Sequence, residues 1–479
     1  LDRGLPISCF GSYIDDSMEA ILDTHAEVGM MTKVGGGTSG YFGDVRPRGA
    51  SITNNGTSNG TYPFAQLFDK IINVVSQGET RRGHFAGYID IEHPDVEEWL
   101  NIQTEGDAIQ TMMYGVVVGD DWMEAMIDGD SDKRALWAKV VESRMNLGIP
   151  YILFRGNVQD GRPQVYKDKG YDVHASNLCS EVLLPSGPDE SFVCCLSSMN
   201  ALHYDEWKDT DAVETLTQFL DAVMQEFIDG AKGMAHMDRA VRFAERHRAI
   251  GIGILGWHSY LQSNRIPFES AEASLTGAEI AKTIKERSYA ASAELADRFG
   301  EPPVLEGYGR RNATTMAVAP TKSSSFILGQ VSPSIEPIKS NYFVQDRAKM
   351  KVTYKNPHLK ALLQENGCDA SAVWDEIALR DGSVQHLDFL SDEEKDVFKT
   401  FSEISQMAII DQAAGRQKHI DQSQSLNLAI DPGSTPVKDI NRLYVEAWKK
   451  GVKSLYYQHG VNAAQSFSRD LLACKACEA

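Results

Sequence analysis

Four short apolar runs, at 114–118, 151–154, 192–196 and 314–318, are rich in β-branched or aromatic residues and bounded by Gly, Pro, Asp or Asn. Runs of this length without alternation are typical of buried strands. Helical periodicity lies between them. In 212–229 the apolar residues recur three and four positions apart before Gly230, which predicts a helix that ends there. Strands alternating with helices predict an α/β fold with a largely parallel sheet or barrel.

The pattern near the C-terminus is more varied. Ser-Asp-Glu-Glu at 391–394 is a capping box, and it predicts a helix carrying the apolar residues Val397, Phe398, Phe401, Ile404 and Met407. The polar stretch 366–388 is interpreted as a surface insertion. Residues 466–479 lack an anchoring apolar pattern and are predicted to form a flexible tail.

The net charge limits the kinds of ligand that this chain is expected to bind. The 479 residues carry a formal net charge of −20, which disfavours binding to a nucleic acid polymer. The short basic pairs Arg81-Arg82, Arg310-Arg311 and Lys449-Lys450 either lie on solvated faces or hold the phosphates of a small nucleotide. The sequence contains no apolar run long enough to predict a membrane span, and it shows no leader that would predict export. We therefore expect a cytoplasmic protein.

Seven cysteines, an odd number in a long chain without a leader, argue against a secreted disulfide scaffold. Only Cys474 and Cys477 form a CxxC pair, and zinc binding there is the alternative to redox chemistry. We expect no metal bound by this chain.

Residues 176–181 place an amide, a thiol and a carboxylate at alternating positions: Asn177, Cys179 and Glu181. Alternate side chains of an extended segment can point the same way, so this is a compact reactive set. The alternative is a buried structural cysteine within a polar loop.

Six segments, in order along the chain, resemble the large catalytic subunit of ribonucleotide reductases: LPISCF at 5–10, SNLCSEVLLP at 176–185, VCCLSSMN at 193–200, NATTMAVAPTKSSS at 312–325, SLYYQ at 454–458 and CKAC at 474–477. The resemblance implies a ten-stranded α/β barrel of two parallel five-stranded halves around a central finger loop at about 174–185. It also implies a catalytic barrel over 1–465 and a redox tail over 466–479.

The resemblance assigns the chemistry. Cys179 would become a thiyl radical, Glu181 would act as the general base, and Asn177 would hydrogen-bond the substrate. Cys9 and Cys194 would supply the reducing electrons, with Cys195 as the alternative one position along. Cys474 and Cys477 would reduce the resulting disulfide and pass the electrons on from a thioredoxin- or glutaredoxin-type reductant.

By the same resemblance, two further groups bind nucleotides. The substrate contacts are Ser8, Gly35, Thr321, Lys322, Ser323, Ser324 and Ser325. A deoxynucleotide or other nucleoside triphosphate effector would bind a region at about 9–85 through Asp16, Ser17, Arg46, Gln77 and Arg81. An effector site of this kind implies a homodimer.

Adjacent Tyr456 and Tyr457 resemble the radical-transfer pair of class I enzymes, whereas ordinary packing is the alternative for any such pair. In class I the radical comes from a metal cofactor in a separate small (beta) subunit, so this chain needs no cofactor of its own. The alternative is a class II enzyme that uses adenosylcobalamin. Only eight residues precede Cys9, so we expect either a minimal, phage-like form without the N-terminal ATP cone or a shortened chain.

Overall fold

Short β-branched and aromatic runs form the strands of a curled sheet in the computed structural model, which describes residues 4–75, 83–347, 350–431, 433 and 435–460. The strands are β1 Cys9–Tyr13, β2 Thr38–Tyr41, β3 Phe85–Asp90, β4 Met113–Val118, β5 Tyr151–Phe154, β6 Phe192–Asn200, β7 Ile250–Leu255, β8 Tyr342–Arg347, β9 Met350–Lys355, β10 Leu428–Ile430, β11 Ser454–Leu455 and β12 Gln458–Gly460.

The helices cover the outside of this sheet and join its strands. They are α1 Met18–Lys33, α2 Tyr62–Val74, α3 Val96–Trp99, α4 Asp120–Asp128, α5 Ser131–Leu147, α6 Arg155–Asp160, α7 Gln164–Asp168, α8 Tyr204–Trp207, α9 Ala212–Ala231, α10 Asp238–His247, α11 Trp257–Ser263, α12 Ala271–Phe299, α13 Lys322–Ile327, α14 Pro357–Glu365, α15 Ser371–Leu379, α16 Asp392–Val397, α17 Gln406–Gln417 and α18 Val437–Lys449.

The first half of the barrel is the parallel set β1 to β5, each strand pairing with the next along the chain. In the second half, β6 pairs parallel with β7. Two parallel bridges, Ile252 to Met316 and Val318 to Gln424, extend this half by two strand positions. The halves meet antiparallel where β1 pairs with β6 and where β11 pairs with β5.

The barrel closes at Tyr456, whose backbone N–H donates to the Leu426 carbonyl at 2.9 Å. The eight strands of the main sheet and the two bridged segments make ten positions around the ring. The predicted α/β barrel is confirmed. The predicted strand at 314–318 is, however, only a pair of bridges rather than a regular strand.

Three local predictions need correction. Helix α9 runs through Gly230 to Ala231, which is fully buried, and this burial offsets the roughly 1 kcal/mol cost of a helical glycine. The capping box at Ser391 is present, but its helix ends at Val397, and the apolar residues that follow lie in turns and at the start of α17. The 366–388 insertion is not only surface, because Trp374 and Ile377 belong to a second small core with α14 and α16.

No helix within the described parts of the chain combines the length and the apolar character needed to span a membrane.

Candidate active site

A loop crosses the interior of the barrel between α7 and β6, and its tip carries the predicted Asn177, Cys179 and Glu181. Their exposed fractions are 1%, 9% and 1%. The loop is braced from within, because the Asn177 side-chain oxygen accepts from the Val182 N–H at 3.1 Å. Ser180 at the tip has a positive φ of 63°, a strained conformation for a residue with a side chain.

The strand segment at 422–425 holds the loop from the opposite side. The Ser425 hydroxyl donates to the Cys179 carbonyl oxygen at 2.6 Å and lies 3.1 Å from a Glu181 carboxyl oxygen. The Ser423 N–H donates to the Glu181 carbonyl oxygen at 2.8 Å. The Gln422 side-chain oxygen accepts from the Leu183 N–H at 3.1 Å. The reactive tip is thus fixed by hydrogen bonds rather than by packing alone.

A cavity of about 310 Å³ opens at the tip of this loop. It brings together most of the residues predicted to touch substrate: Ser8, Cys9, Asn177, Cys179, Glu181, Thr321, Lys322, Ser323 and Ser324. Gly35 and Ser325 are not among its lining residues. Gly37 lies there instead of Gly35, and Ser325 is buried with its hydroxyl 3.0 Å from that of Thr321.

The turn at 321–324 begins at Thr321, which adopts a left-handed conformation with φ of 52°. Its hydroxyl accepts from the Ser334 N–H at 2.8 Å, which fixes the turn before the first residues of α13. Hydroxyls and a lysine therefore line the same cavity as the thiols of Cys9 and Cys179. This polarity suits an anionic group at one end of a ligand.

Cys9 and Cys194 face each other across the antiparallel pair β1 and β6. Facing residues in such a pair have Cα atoms about 4.5–5.5 Å apart, within the range that a disulfide needs. The Asn177 amide donates to the Cys9 sulfur at 3.7 Å, and the Gln422 amide donates to the Cys194 sulfur at 3.6 Å.

Successive side chains of a strand point to opposite faces, so Cys195 cannot share the position of Cys194. Burial is the main cause that raises the pKa of Cys195 to about 12, and Asp221, which ion-pairs with Arg248 outside the cavity, adds to it. Burial also raises the pKa of Cys194 well above its ordinary value, with Cys9 among the lesser contributors. The geometry favours Cys194 as the neighbour of Cys9.

Burial raises the pKa of Glu181 to about 7, while hydrogen bonds from Asn177 and Ser425 act in the opposite direction. A carboxyl group with this pKa exchanges its proton readily near neutral pH. It lies in the same cavity as the Cys179 thiol.

The two predicted tyrosines are buried next to each other, with exposed fractions of 3% for Tyr456 and 6% for Tyr457. Their ring centroids are 4.3 Å apart. The Tyr151 ring lies 4.8 Å from that of Tyr456 and 5.2 Å from that of Tyr457. Burial, with smaller contributions from Tyr457 and Cys179, raises the pKa of Tyr151 well above its ordinary value. The three tyrosine rings form one buried cluster.

A family model for the barrel domain of ribonucleotide reductase matches residues 7–134, 129–307 and 303–458. The chain belongs to the ribonucleotide reductase large-subunit family. Its structure superposes on the α subunit of the class Id ribonucleotide reductase of Actinobacillus ureae with a TM-score of 0.92, at 59% identity, covering 99% of this chain and 86% of that one.

Sequence relatives agree. A putative ribonucleoside-diphosphate reductase large subunit of Frog virus 3 is 39% identical, over 99% of this chain and 88% of the relative. The ribonucleoside-diphosphate reductase large chain of Schizosaccharomyces pombe is 29% identical, over 98% of this chain and 67% of the relative. The predicted family is confirmed, and so is the prediction that the chain is a ribonucleoside-diphosphate reductase.

Of the residues predicted to bind an effector, Asp16, Ser17 and Arg46 are not among the lining residues of the cavity at the loop tip. The Arg46 guanidinium pairs with the Asp16 carboxylate at 2.9 Å, and Ser17 caps α1 by accepting from the Ala20 N–H at 3.1 Å. Gln77 and Arg81 lie outside the described residues. So does the predicted redox pair Cys474 and Cys477.

Several residues that hold the loop at 176–183 were not identified from the sequence. Ser425 and Gln422 belong to the run DQSQS at 421–425, where five consecutive polar residues were the available signal. Tyr88 donates from its hydroxyl to the Asn177 carbonyl oxygen at 2.8 Å. A side chain at Gly115 would lie 2.6 Å from the Tyr88 ring, so this glycine makes room for the ring. Within the described residues, no cluster of three or more His, Cys, Asp or Glu side chains could hold a metal ion.

Proposed function

We propose that this chain is the catalytic α subunit of a class I reductase that converts ribonucleoside diphosphates to 2′-deoxyribonucleotides. The observation that carries the proposal is the single cavity that holds Cys9, Cys179, Glu181, Asn177 and the turn at 321–324. Thiols, a carboxyl group and an anion-binding turn meet within reach of one sugar.

In the proposed reaction, a thiyl radical at Cys179 removes the 3′ hydrogen atom of the ribose. Glu181 takes the proton of the 3′ hydroxyl, and Asn177 orients the sugar. A pKa of about 7 suits Glu181 for this role, because it is then partly ionised at neutral pH.

Cys9 and Cys194 then supply two electrons and two protons. The 2′ hydroxyl leaves as water, a hydrogen replaces it, and the two sulfurs become joined as a disulfide. Glu181 returns its proton to the 3′ oxygen, and Cys179 finally returns its hydrogen atom to the 3′ carbon and becomes a radical again. The facing positions of the two cysteines on β1 and β6 support this pairing, because a disulfide there requires little movement of the backbone.

The radical would arrive through Tyr456 and Tyr457 from the metal cofactor of a separate small subunit. The close packing of the two rings supports a relay, and the class Id relative favours class I over the cobalamin-dependent alternative. We propose that Cys474 and Cys477 restore the dithiol and are themselves reduced by a thioredoxin- or glutaredoxin-type protein. Because this cycle needs reduced thiols, we place the enzyme in the cytoplasm.

We further propose that Asp16, Ser17, Arg46, Gln77 and Arg81 bind a nucleoside triphosphate effector in a homodimer. The proximity of Asp16 to Arg46 and the cap made by Ser17 support a common site for the first three.

The test is turnover of a ribonucleoside diphosphate by the full chain with a class I small subunit and a dithiol. Cys179→Ser is expected to abolish product formation while leaving nucleotide affinity within about twofold, because one atom changes. Cys195→Ser, a matched change on the opposite face of β6, is expected to keep activity.

A second arm replaces the small subunit by adenosylcobalamin. Turnover there, or activity of Cys179→Ser comparable to the unmodified enzyme, contradicts the proposal.

A further inference from the structure

A second cavity, of about 420 Å³, lies at the other end of the barrel. The catalytic cavity includes Cys9 at the N-terminal end of β1, whereas this one is bounded by α6, which directly follows the C-terminal end of β5. Because β1 to β5 run parallel, these ends belong to opposite mouths of the barrel.

The charge balance of this cavity is opposite in sign to that of the whole chain. The whole chain has 47 Lys and Arg against 67 Asp and Glu. The cavity lining has five cations and two carboxylates: Arg162, Lys285, Lys418, Lys450 and Lys453 against Asp160 and Asp421.

The charged groups immediately outside the lining leave the balance positive. The Arg310 guanidinium lies 4.1 Å from the centre of the Tyr289 ring, which is part of the wall. The positive charge of Lys167 contributes to lowering the pKa of Lys453. Asp172 pairs with Arg162, and Asp411 pairs with Lys450. Glu446 lies near Lys450, and Lys282 and Glu286 lie near His419. Eight cations then stand against six carboxylates, an excess of two positive charges.

Asp421 cannot neutralise a further cation, because its carboxylate is already engaged. One oxygen accepts from the Tyr289 hydroxyl at 2.7 Å and pairs with Lys285. The other accepts from the Thr315 N–H at 2.7 Å.

Lys453 is 3% exposed, and its ammonium donates to the carbonyl oxygens of Gly161, Asp421 and Gln422 at 3.0, 2.7 and 2.9 Å. Within the described residues it forms an ion pair with no carboxylate. Burial, with Lys167, lowers its pKa to about 7. An anion in the cavity would stabilise the charged form of this lysine.

We propose that this cavity is a binding site for a small anion that carries phosphate groups, with pyrophosphate as the simplest form. A compact anion of two or more negative charges suits the local excess of positive charge. Lys418 and Lys450 at the exposed rim supply flexible donors, and an anion held there would also favour the protonated form of the buried Lys453. Lys450 and Arg310 each belong to one of the basic pairs evident in the sequence, and the fold brings them to one site.

The experiment is calorimetric titration of the full chain with pyrophosphate at low salt. We expect pyrophosphate to bind, and K418Q/K450Q to weaken this binding about tenfold or more, because two charged donors are lost. The control K139Q/K232Q removes two exposed lysines that also have carboxylate partners but lie elsewhere. The variant K322Q changes the turn at 321–324 of the catalytic cavity and tests whether pyrophosphate binds there instead. Both are expected to change affinity less than about twofold.

Competition with ATP then identifies the source of the phosphates. Displacement of pyrophosphate by ATP assigns the site to a nucleotide, and lack of displacement assigns it to free phosphate anions. The proposal is overturned if pyrophosphate does not bind, if K322Q rather than K418Q/K450Q removes binding, or if both double variants weaken it equally. None of these outcomes depends on the proposed catalytic function.

Discussion

Ser425 offers a direct test of how the barrel tunes the carboxyl group in the catalytic cavity. Its hydroxyl lies 3.1 Å from the Glu181 carboxylate and counteracts the effect of burial on the pKa of that group. Ser425→Ala removes the hydroxyl and is expected to raise the pKa of Glu181 above its present value of about 7. The variant is therefore expected to need a higher pH for the same activity.

The size of the effect follows from the hydrogen bond. A hydrogen bond to a charged group contributes about 1.5–3 kcal/mol. The Ser425 hydroxyl is shared with the Cys179 carbonyl oxygen, so we assign about half of this, roughly 0.7–1.4 kcal/mol, to ionised Glu181. One pKa unit corresponds to about 1.4 kcal/mol, so the shift is about 0.5–1 unit upward.

The assay is the pH dependence of kcat/KM with small subunit and dithiol present. A base is active when ionised, so the unmodified enzyme is expected to gain activity as the pH rises through about 7. At pH 6.5 the Ser425→Ala variant is expected to lose about three- to eightfold more activity than at pH 9.

Ser423→Ala is the matched control, because its hydroxyl contacts that of Ser454 while its backbone N–H still reaches Glu181. An unchanged or lower midpoint in Ser425→Ala would refute the reasoning. So would an equal shift in Ser423→Ala.

Two further predictions concern the transfer of the radical and of electrons. Tyr457→Phe is expected to stop turnover driven by the small subunit, measured as deoxynucleotide formed, because phenylalanine has no proton to release; normal turnover in this variant would contradict the relay. The double variant Cys474→Ser/Cys477→Ser is expected to give one product per active site and then stop with a protein reductant, while a small dithiol restores multiple turnovers. Failure of the first turnover would place these cysteines in the chemical step instead.

The sequence predicted the residues of the catalytic cavity better than the regular structure around them. The motif at 176–181 carries its chemistry in the identity and spacing of three side chains, and the fold places all three at one cavity. The strand at 314–318 was harder, because its backbone makes only two bridges before the turn at Thr321. The helix predicted after Ser391 forms but ends at Val397, because the apolar residues that continue its spacing are buried in turns.

Gly35 and the 366–388 segment show what a linear pattern cannot supply. Gly35 and Gly37 are equivalent in a glycine-rich run, and only the path of the chain after α1 decides which one reaches the cavity. The segment at 366–388 is polar on average, yet Trp374 and Ile377 find apolar partners in α14 and α16. Average polarity hides such partners because they come from other segments.

The polar run at 421–425 is explained by the loop it faces. A loop that crosses the interior of a barrel carries backbone donors and acceptors that neither sheet pairing nor water can satisfy. Gln422 and Ser425 supply these partners to Leu183 and Cys179, and Ser454 on the next strand donates to the Ser180 carbonyl oxygen at 2.9 Å. Apolar residues at these positions would leave buried polar groups unpaired, at about 1–3 kcal/mol each. Serine and glutamine at these positions form the hydrogen bonds that the backbone of the loop needs inside the barrel. This requirement explains why the segment that faces the loop is polar.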